Sequence, residues 1–274
     1  MAGIRTRRLG RTGAELPELG LGAMDTPNSP ERRETIRAAL EGGIRFIDTA
    51  REYAGSEFLL GDAIRSGIAS DVFISSKTFA RDANRSQYDI DASLRTLGLP
   101  SIDLYHLHDI STPEAWTEAT GANGALEGLK TAQYRGLIRS IGVSSHNLDV
   151  ARSCIDSGEI DAIMLEYSAF YPDSRELIAH AYDRDVGVIV MRPLGGSGRM
   201  SALRGRLRGG STGTVTPENL LRYVWSNEYV SVAIPGASYP DRVRANIEAA
   251  VTYEPMSEAE QRDLEAEAAT FYGD

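Results

Sequence analysis

The sequence is short of two side chains that often carry special chemistry, with one cysteine and two lysines in 274 residues. A single Cys154 excludes an internal disulfide and any Cys-clustered zinc or iron–sulfur site, because those need several thiolates converging on one point. It is expected as a buried small hydrophobe. No apolar run is long enough to cross a bilayer and no signal-peptide pattern opens the chain, so a cytoplasmic protein with no membrane partner is expected. The formal charge of −10 opposes adhesion to phosphate backbones, which sets nucleic acid aside and makes any anionic ligand depend on local cations. No low-complexity linker interrupts the chain, and one domain over residues 1–274 is expected.

The scarcity of lysine is informative because arginine is abundant, at 27 residues. A lysine that survives such a bias sits where arginine cannot serve. Arginine stays charged and planar, whereas lysine is a compact ammonium whose proton affinity responds to burial. Lys130 lies in a polar helical stretch and reads as solvated. Lys77 ends the apolar run 72–77, where a cation is out of place.

Short apolar runs alternate with longer amphipathic stretches along nearly the whole chain, the pattern of repeated βα units. Eight runs read as strands: 19–24, 45–49, 72–77, 102–108, 140–144, 162–167, 186–191 and 230–235. Eight parallel strands with crossover helices close most naturally into an α/β (β/α)8 TIM barrel, whose active sites form at the carboxyl ends of the strands. Residues 8–17 read as a small N-terminal β-hairpin that plugs the opposite end. The Gly-, Ser- and Arg-rich stretch 195–213, with Arg199, Arg204, Arg206 and Arg208, reads as a loop on the active-site face. Residues 254–274 read as a helix with a frayed end.

The ends of the second, third and fourth strands carry Asp48 with Tyr53, Lys77, and His106 with His108. Adjacent strands lie about 5 Å apart, so these groups can meet. A free tyrosine has a pKa of about 10, and a nearby ammonium lowers it by favouring the phenolate. Lys77 supplies that ammonium, Asp48 holds it by a salt bridge, His108 reaches a substrate oxygen, and Tyr53 is the general acid.

In these residues the chain resembles the aldo-keto reductases. The resemblance runs through Gly20-Leu21-Gly22, Asp48-Thr49-Ala50 with Tyr53, Lys77, Asp103-Leu104-Tyr105 with His108, Ile141-Gly142-Val143-Ser144, Glu166-Tyr167-Ser168, Pro193-Leu194-Gly195 and Ile234-Pro235-Gly236 with Asn246. It implies reduction of an aldehyde or ketone by direct hydride transfer from NADPH, in preference to NADH, with no metal. Asp48, Ser144, Ser145, Met164, Met191 and Arg192 are then expected at the nicotinamide end. Pro193, Leu194, Gly195 and the basic loop fall to the pyrophosphate. Gly236, Ser238, Arg242 and Asn246 fall to the adenosine end, with Arg242 stacked on adenine. Departures from the family pattern are Ser145 for asparagine, Met164 for glutamine, Met191-Arg192 for tyrosine and serine, and no cation at Gly236 or Ser238. Met24, Trp116, Phe170 and Tyr171 join Tyr53 and His108 as candidates for the substrate mouth.

Plainer readings compete at each position. Asp48 and Lys77 can form an ion pair that only fixes strand register, and Ser144, Ser145 and Asn147 precede a helix that they can cap. His106 and His108 share a strand face and, with His146, can ligate a metal as in metal-dependent hydrolases. A nicotinamide-binding redox sensor with little turnover is the remaining rival. The lysine–tyrosine pair has no role in a hydrolase, and the intact tetrad argues against a sensor.

Overall fold

The computed structural model describes residues 3–24, 29–69, 71–196, 205 and 213–271. Arg199, Arg204, Arg206 and Arg208 lie outside the described residues. A two-stranded antiparallel hairpin, β1 (Thr6–Arg8) with β2 (Glu15–Pro17), precedes an eight-stranded parallel sheet. Its strands are β3 (Leu21–Gly22), β4 (Phe46–Asp48), β5 (Phe73–Thr78), β6 (Ile102–Leu107), β7 (Ile138–Ser144), β8 (Ala162–Glu166), β9 (Gly187–Met191) and β10 (Val232–Ile234). They follow one another around the sheet in chain order. Hydrogen bonds from Gly20 N to Ala233 O (2.8 Å), Ala233 N to Glu18 O (2.8 Å) and Gly22 N to Pro235 O (3.2 Å) join the first strand to the last. The result is the expected (β/α)8 barrel.

Strand alternation separates two apolar cores. Inward-facing Phe46, Leu104, Ala162, Met164, Ile189, Val232 and Ile234 fill the barrel together with Leu9 and Leu16 of the hairpin. Outward-facing Ile47, Tyr105, Val143, Ile163 and Val190 pack under the helical shell. Cys154 lies fully buried in that outer core, and burial pushes its thiol up to about 12, so it behaves as the small hydrophobe expected.

The hairpin closes the amino-terminal end of the barrel, as the sequence predicts. Arg11 N donates to Asp185 O at 2.7 Å, and a Cβ on Gly10, whose φ is +48°, would stand 2.2 Å from Gly187 N. Only glycine lets the two backbones approach so closely.

The observed strands differ most from the predicted runs at β7 and along the seam of β3 with β10. β7 begins at Ile138, two residues early, because exposed Arg139 interrupts its apolar pattern. β3 and β10 are shorter than 19–24 and 230–235; along this seam Leu19 and Gly22 form only isolated bridges to Ala233 and Gly236. The C-terminal segment forms a helix over Glu258–Ala269, opened by a capping box in which Ser257 and Glu260 satisfy each other's backbone N–H groups. Among the described residues no helix is long and apolar enough to cross a membrane.

Candidate active site

β5 presents Ser75 and Lys77 to the barrel interior and Ser76 and Thr78 to the helices, as strand period dictates. The outward pair anchors the strand: Ser76 Oγ donates to buried Glu57 (2.7 Å), itself paired with Arg51, and Thr78 Oγ1 donates to buried Asp89 (2.6 Å). The inward pair meets Asp48 at the end of β4. Ser75 Oγ donates to Asp48 Oδ1 at 2.9 Å, and Lys77 Nζ lies 2.5 Å from Asp48 Oδ2.

The remaining Lys77 protons are directed by the chain beyond β4. Nζ donates to Thr49 O at 2.8 Å and reaches the Tyr53 hydroxyl at 3.4 Å. Lys77 is 1% exposed, whereas Tyr53 is half-buried. Burial lowers the proton affinity of Lys77, and the charge and hydrogen bond of Asp48 oppose this only in part. The ammonium is thus more acidic than a free lysine and held against the phenol oxygen.

His108 follows β6 on the same side. Its ring stacks on Phe79 at 4.0 Å between centroids and meets Tyr53 edge-on at 5.7 Å. Its Nδ1 lies 3.4 Å from Glu52 Oε2, and the other Glu52 oxygen accepts from Phe79 N at 3.3 Å. Glu52 is partly desolvated, which raises its pKa, but the hydrogen bonds from His108 and Phe79 prevail and the net shift is downward. Arg81 donates to the carbonyls of His108 (2.9 Å) and Asp109 (3.0 Å) and fixes this turn, where Asp109 has φ +55°.

His106 lies one layer deeper, opposite Lys77 on one side and Gly142 on the other. It is fully buried, and neither ring nitrogen has a hydrogen-bond partner among the described residues. Burial, with the nearby Lys77 and His108, drives its pKa well below the usual histidine value, so the ring is neutral. His106, His108 and His146 do not converge. His146 Nδ1 instead lies 2.7 Å from Glu166 Oε1, and among the described residues no group of three His, Cys, Asp or Glu could hold a metal.

Across the mouth, at the ends of β7, β8 and β9, the side chains named from the sequence are tied to one another. Ser144 Oγ accepts from Asp109 N at 2.9 Å, and Ser145 Oγ donates to Asn147 O at 3.0 Å. Asn147 alone caps the following helix, through the N–H groups of Asp149 and Val150, so the capping reading holds for Asn147 and not for the two serines. Met164 is buried inside the barrel, and half-buried Met191 packs against the same interior cluster. Arg192, with φ +52°, donates to Glu166 Oε1 at 2.8 Å, the oxygen that His146 also approaches. Residues 192–195 form a turn closed by Gly195 N and Arg192 O at 2.8 Å, with Pro193 buried and Leu194 half-buried.

Beyond β10, Gly236 and Arg242 are exposed, Ser238 is half-buried and Asn246 is buried. The Arg242 guanidinium lies over the Tyr239 ring, 5.3 Å from its centroid.

Residues 18–207 match the aldo/keto reductase family. The chain belongs to that family. An aldo-keto reductase of Mycobacterium sp. (strain MCS) is 32% identical, with 86% of this chain and 82% of that protein covered. The holo form of aldo-keto reductase AKR11C1 from Bacillus halodurans superposes with a TM-score of 0.81 at 24% identity, covering 96% of each chain. An aldo/keto reductase from Klebsiella pneumoniae in complex with NADP and acetate gives 0.74 at 24% identity, over 97% of this chain and 95% of that one.

Within this aldo/keto reductase, Asp48, Tyr53, Lys77 and His108 form one contiguous cluster. The substrate-mouth candidates differ in exposure. Met24 is exposed, Phe170 is buried edge-on against Phe271 at 5.5 Å, and burial with Asp173 and Glu166 raises the pKa of half-buried Tyr171. Trp116 packs on the outer core and lines a groove with Leu126, Lys130, Ser157 and Glu159, which none of the four clustered groups lines. The sequence reading also missed Ser75, Glu52, Phe79 and Glu166. Ser75 was accessible from strand period alone, two residues before Lys77; the others depend on loop conformation.

Proposed function

We propose that this aldo/keto reductase reduces an aldehyde or ketone to the alcohol, with NADPH preferred to NADH and Tyr53 as the general acid. The observation that carries the reading is the placement of Lys77, the lysine that the chain retains inside an apolar strand. Its ammonium is sealed from solvent, paired with Asp48 and aimed at the Tyr53 hydroxyl. An ion pair that merely fixed strand register would not need a third donor direction toward a half-buried phenol.

The chain's residues fit a dinucleotide. Among the described residues the helix Pro240–Thr252 opens with no side-chain cap on its first N–H groups, and Arg32 beside it carries a buried Nη1 that has no partner there. Helix amino termini and guanidinium groups both favour phosphate oxygens. The Klebsiella pneumoniae relative crystallised with NADP supports the same cofactor class. A bound reduced nicotinamide supplies the hydride. Tyr53 then delivers its phenolic proton to the carbonyl oxygen as that oxygen gains charge, Lys77 stabilises the phenolate left behind, and His108 orients the same oxygen. Glu52 holds the His108 ring in place through Nδ1.

Fluorescence titration with NADPH and NADH tests the reading before any substrate is chosen. Micromolar NADPH binding with weaker NADH binding is the expected result, and failure to bind either would overturn the hydride-transfer reading. Tight binding without turnover on a broad carbonyl panel would favour the redox-sensing alternative. Chelator treatment is expected to leave turnover unchanged.

A further inference from the structure

Glu52 stands immediately before Tyr53 on the turn that follows β4, and its carboxylate spans the ends of the next two strands. Oε1 accepts from Phe79 N at 3.3 Å beyond β5, and Oε2 lies 3.4 Å from His108 Nδ1 beyond β6. The His108 side chain is 13% exposed, which leaves water little access to the ring. Among the described residues Glu52 is the acceptor that reaches Nδ1. The other titratable or charged groups around the ring are Tyr53, Lys77, His106, Arg81 and Asp109. The net downward shift of Glu52 keeps it ionised near neutrality. An ionised carboxylate can only accept hydrogen bonds, and a backbone N–H can only donate. His108 Nδ1 therefore carries a proton in this contact, because a bare ring nitrogen would set two acceptors against each other. A neutral imidazole holds one proton, so Nε2, the nitrogen left for the substrate oxygen, is bare.

A bare Nε2 accepts from a hydroxyl but cannot donate to a carbonyl oxygen. Donation needs the second ring proton, on an imidazolium whose Nδ1 still faces Glu52. We propose that Glu52 is a positioning residue that holds the proton of neutral His108 on Nδ1, so that Nε2 accepts from an alcohol when the ring is neutral and donates to a carbonyl only when the ring is protonated. The residue next to the acid thereby ties the direction of the reaction to the charge of the histidine. Reduction draws on the imidazolium, and oxidation of the alcohol draws on the neutral ring. No net proton passes through His108: Tyr53 gives up the proton that the alcohol gains, and His108 contributes one hydrogen bond to the reacting oxygen. The inference rests on the carbonyl-reductase reading above.

The position of the proton can be read without cofactor or substrate. Heteronuclear NMR of the nitrogen-labelled full chain separates protonated from bare imidazole nitrogens, and with four histidines the His108 signals are assigned by their loss in His108→Asn. At a pH where the ring is neutral, the parent is expected to show Nδ1–H and a bare Nε2. A proton on Nε2 instead overturns the proposal, whatever any variant does. Glu52→Gln offers a single side-chain acceptor. Phe79 N–H cannot change its role, so the amide oxygen stays with it, the amide N–H turns to Nδ1, and the ring is expected to move its proton to Nε2. The same tautomer in both proteins overturns the proposal. In the parent, kcat/KM for carbonyl reduction is expected to fall about tenfold or more as pH rises through the range where histidine titrates, about pH 5 to 8, the worth of a hydrogen bond from a charged donor. Glu52→Gln should flatten that fall, since its neutral ring already donates from Nε2; parallel profiles overturn the coupling. If no carbonyl is reduced and yet the proton sits on Nδ1 and moves in the variant, the reductase reading fails and the hold of Glu52 on the proton stands.

Discussion

Lys77 Nζ lies 2.5 Å from Asp48 Oδ2, and neither side chain is more than 4% exposed. A buried pair of this kind is costly to break from one side, because the survivor keeps a charge without compensation. Asp48→Asn is therefore expected to lose about 3–5 kcal/mol of unfolding free energy, read by urea denaturation. A loss below about 1 kcal/mol, the range of an exposed pair, would mean that the interior at this point is better solvated than the structure shows.

Tyr53→Phe removes the acid and little else. Turnover is expected to fall by about 10²–10⁴-fold, the usual contribution of a positioned proton donor, while the NADPH dissociation constant stays near that of the parent. Parent-level reduction of carbonyls by the variant would refute the assignment of Tyr53. Lys77→Arg is expected to fail comparably, because a bulkier planar cation cannot occupy the space between Asp48, Thr49 O and Tyr53.

Gly142 owes its identity to the ring beside it. A Cβ there would stand 2.4 Å from His106 Nδ1 and 2.6 Å from Cε1. Gly142→Ala should cost about 1–3 kcal/mol, the usual penalty for overpacking. Pairing it with His106→Ala should recover most of that loss; strict additivity of the two changes would show that they do not touch.

His106 also predicts a pH dependence. Its folded-state pKa is depressed well below 6.5, the value assigned to an unperturbed histidine. Below that pH the unfolded chain takes up a proton that the folded chain refuses, so stability falls as pH falls, down to the depressed folded value. The contribution is about 1.4 kcal/mol per pH unit within that window. His106→Leu should flatten the fall in urea-unfolding free energy between pH 6.5 and 5 by that slope, and an unaltered slope would place the titration elsewhere.

Much of the barrel was legible because period and spacing are local properties. The eight apolar runs, the hairpin over residues 8–17 and the cluster of Asp48, Tyr53, Lys77 and His108 all follow from which residues face inward at consecutive strand ends. Lys77 stood out because arginine is so common elsewhere. What escaped depends on distant backbone conformation. Glu52 reaches His108 only through the turn after β4, Glu166 gathers His146 and Arg192 from separate loops, and Arg32 meets Tyr239 only because the first and last barrel helices pack together. Nor was the packing of Trp116 on the outer core legible, because a helix has two sides and sequence alone does not show which one faces the shell.

The seam between Glu18, Gly20 and Gly22 and the residues around Ala233 also orders events in time. As the chain is synthesised, the first barrel strand and the hairpin leave the ribosome early, but their partners in β9 and β10 arrive near the end. Contacts so distant in sequence close slowly, since a long loop must first be organised. Until then one edge of the growing sheet is open to stray strands, a hazard for any unfinished parallel sheet. That edge carries Gly20 and Gly22, which offer no side chain for an intruding strand to pack against. The glycines that let the barrel close tightly also leave its unfinished edge bare of side chains at those two positions.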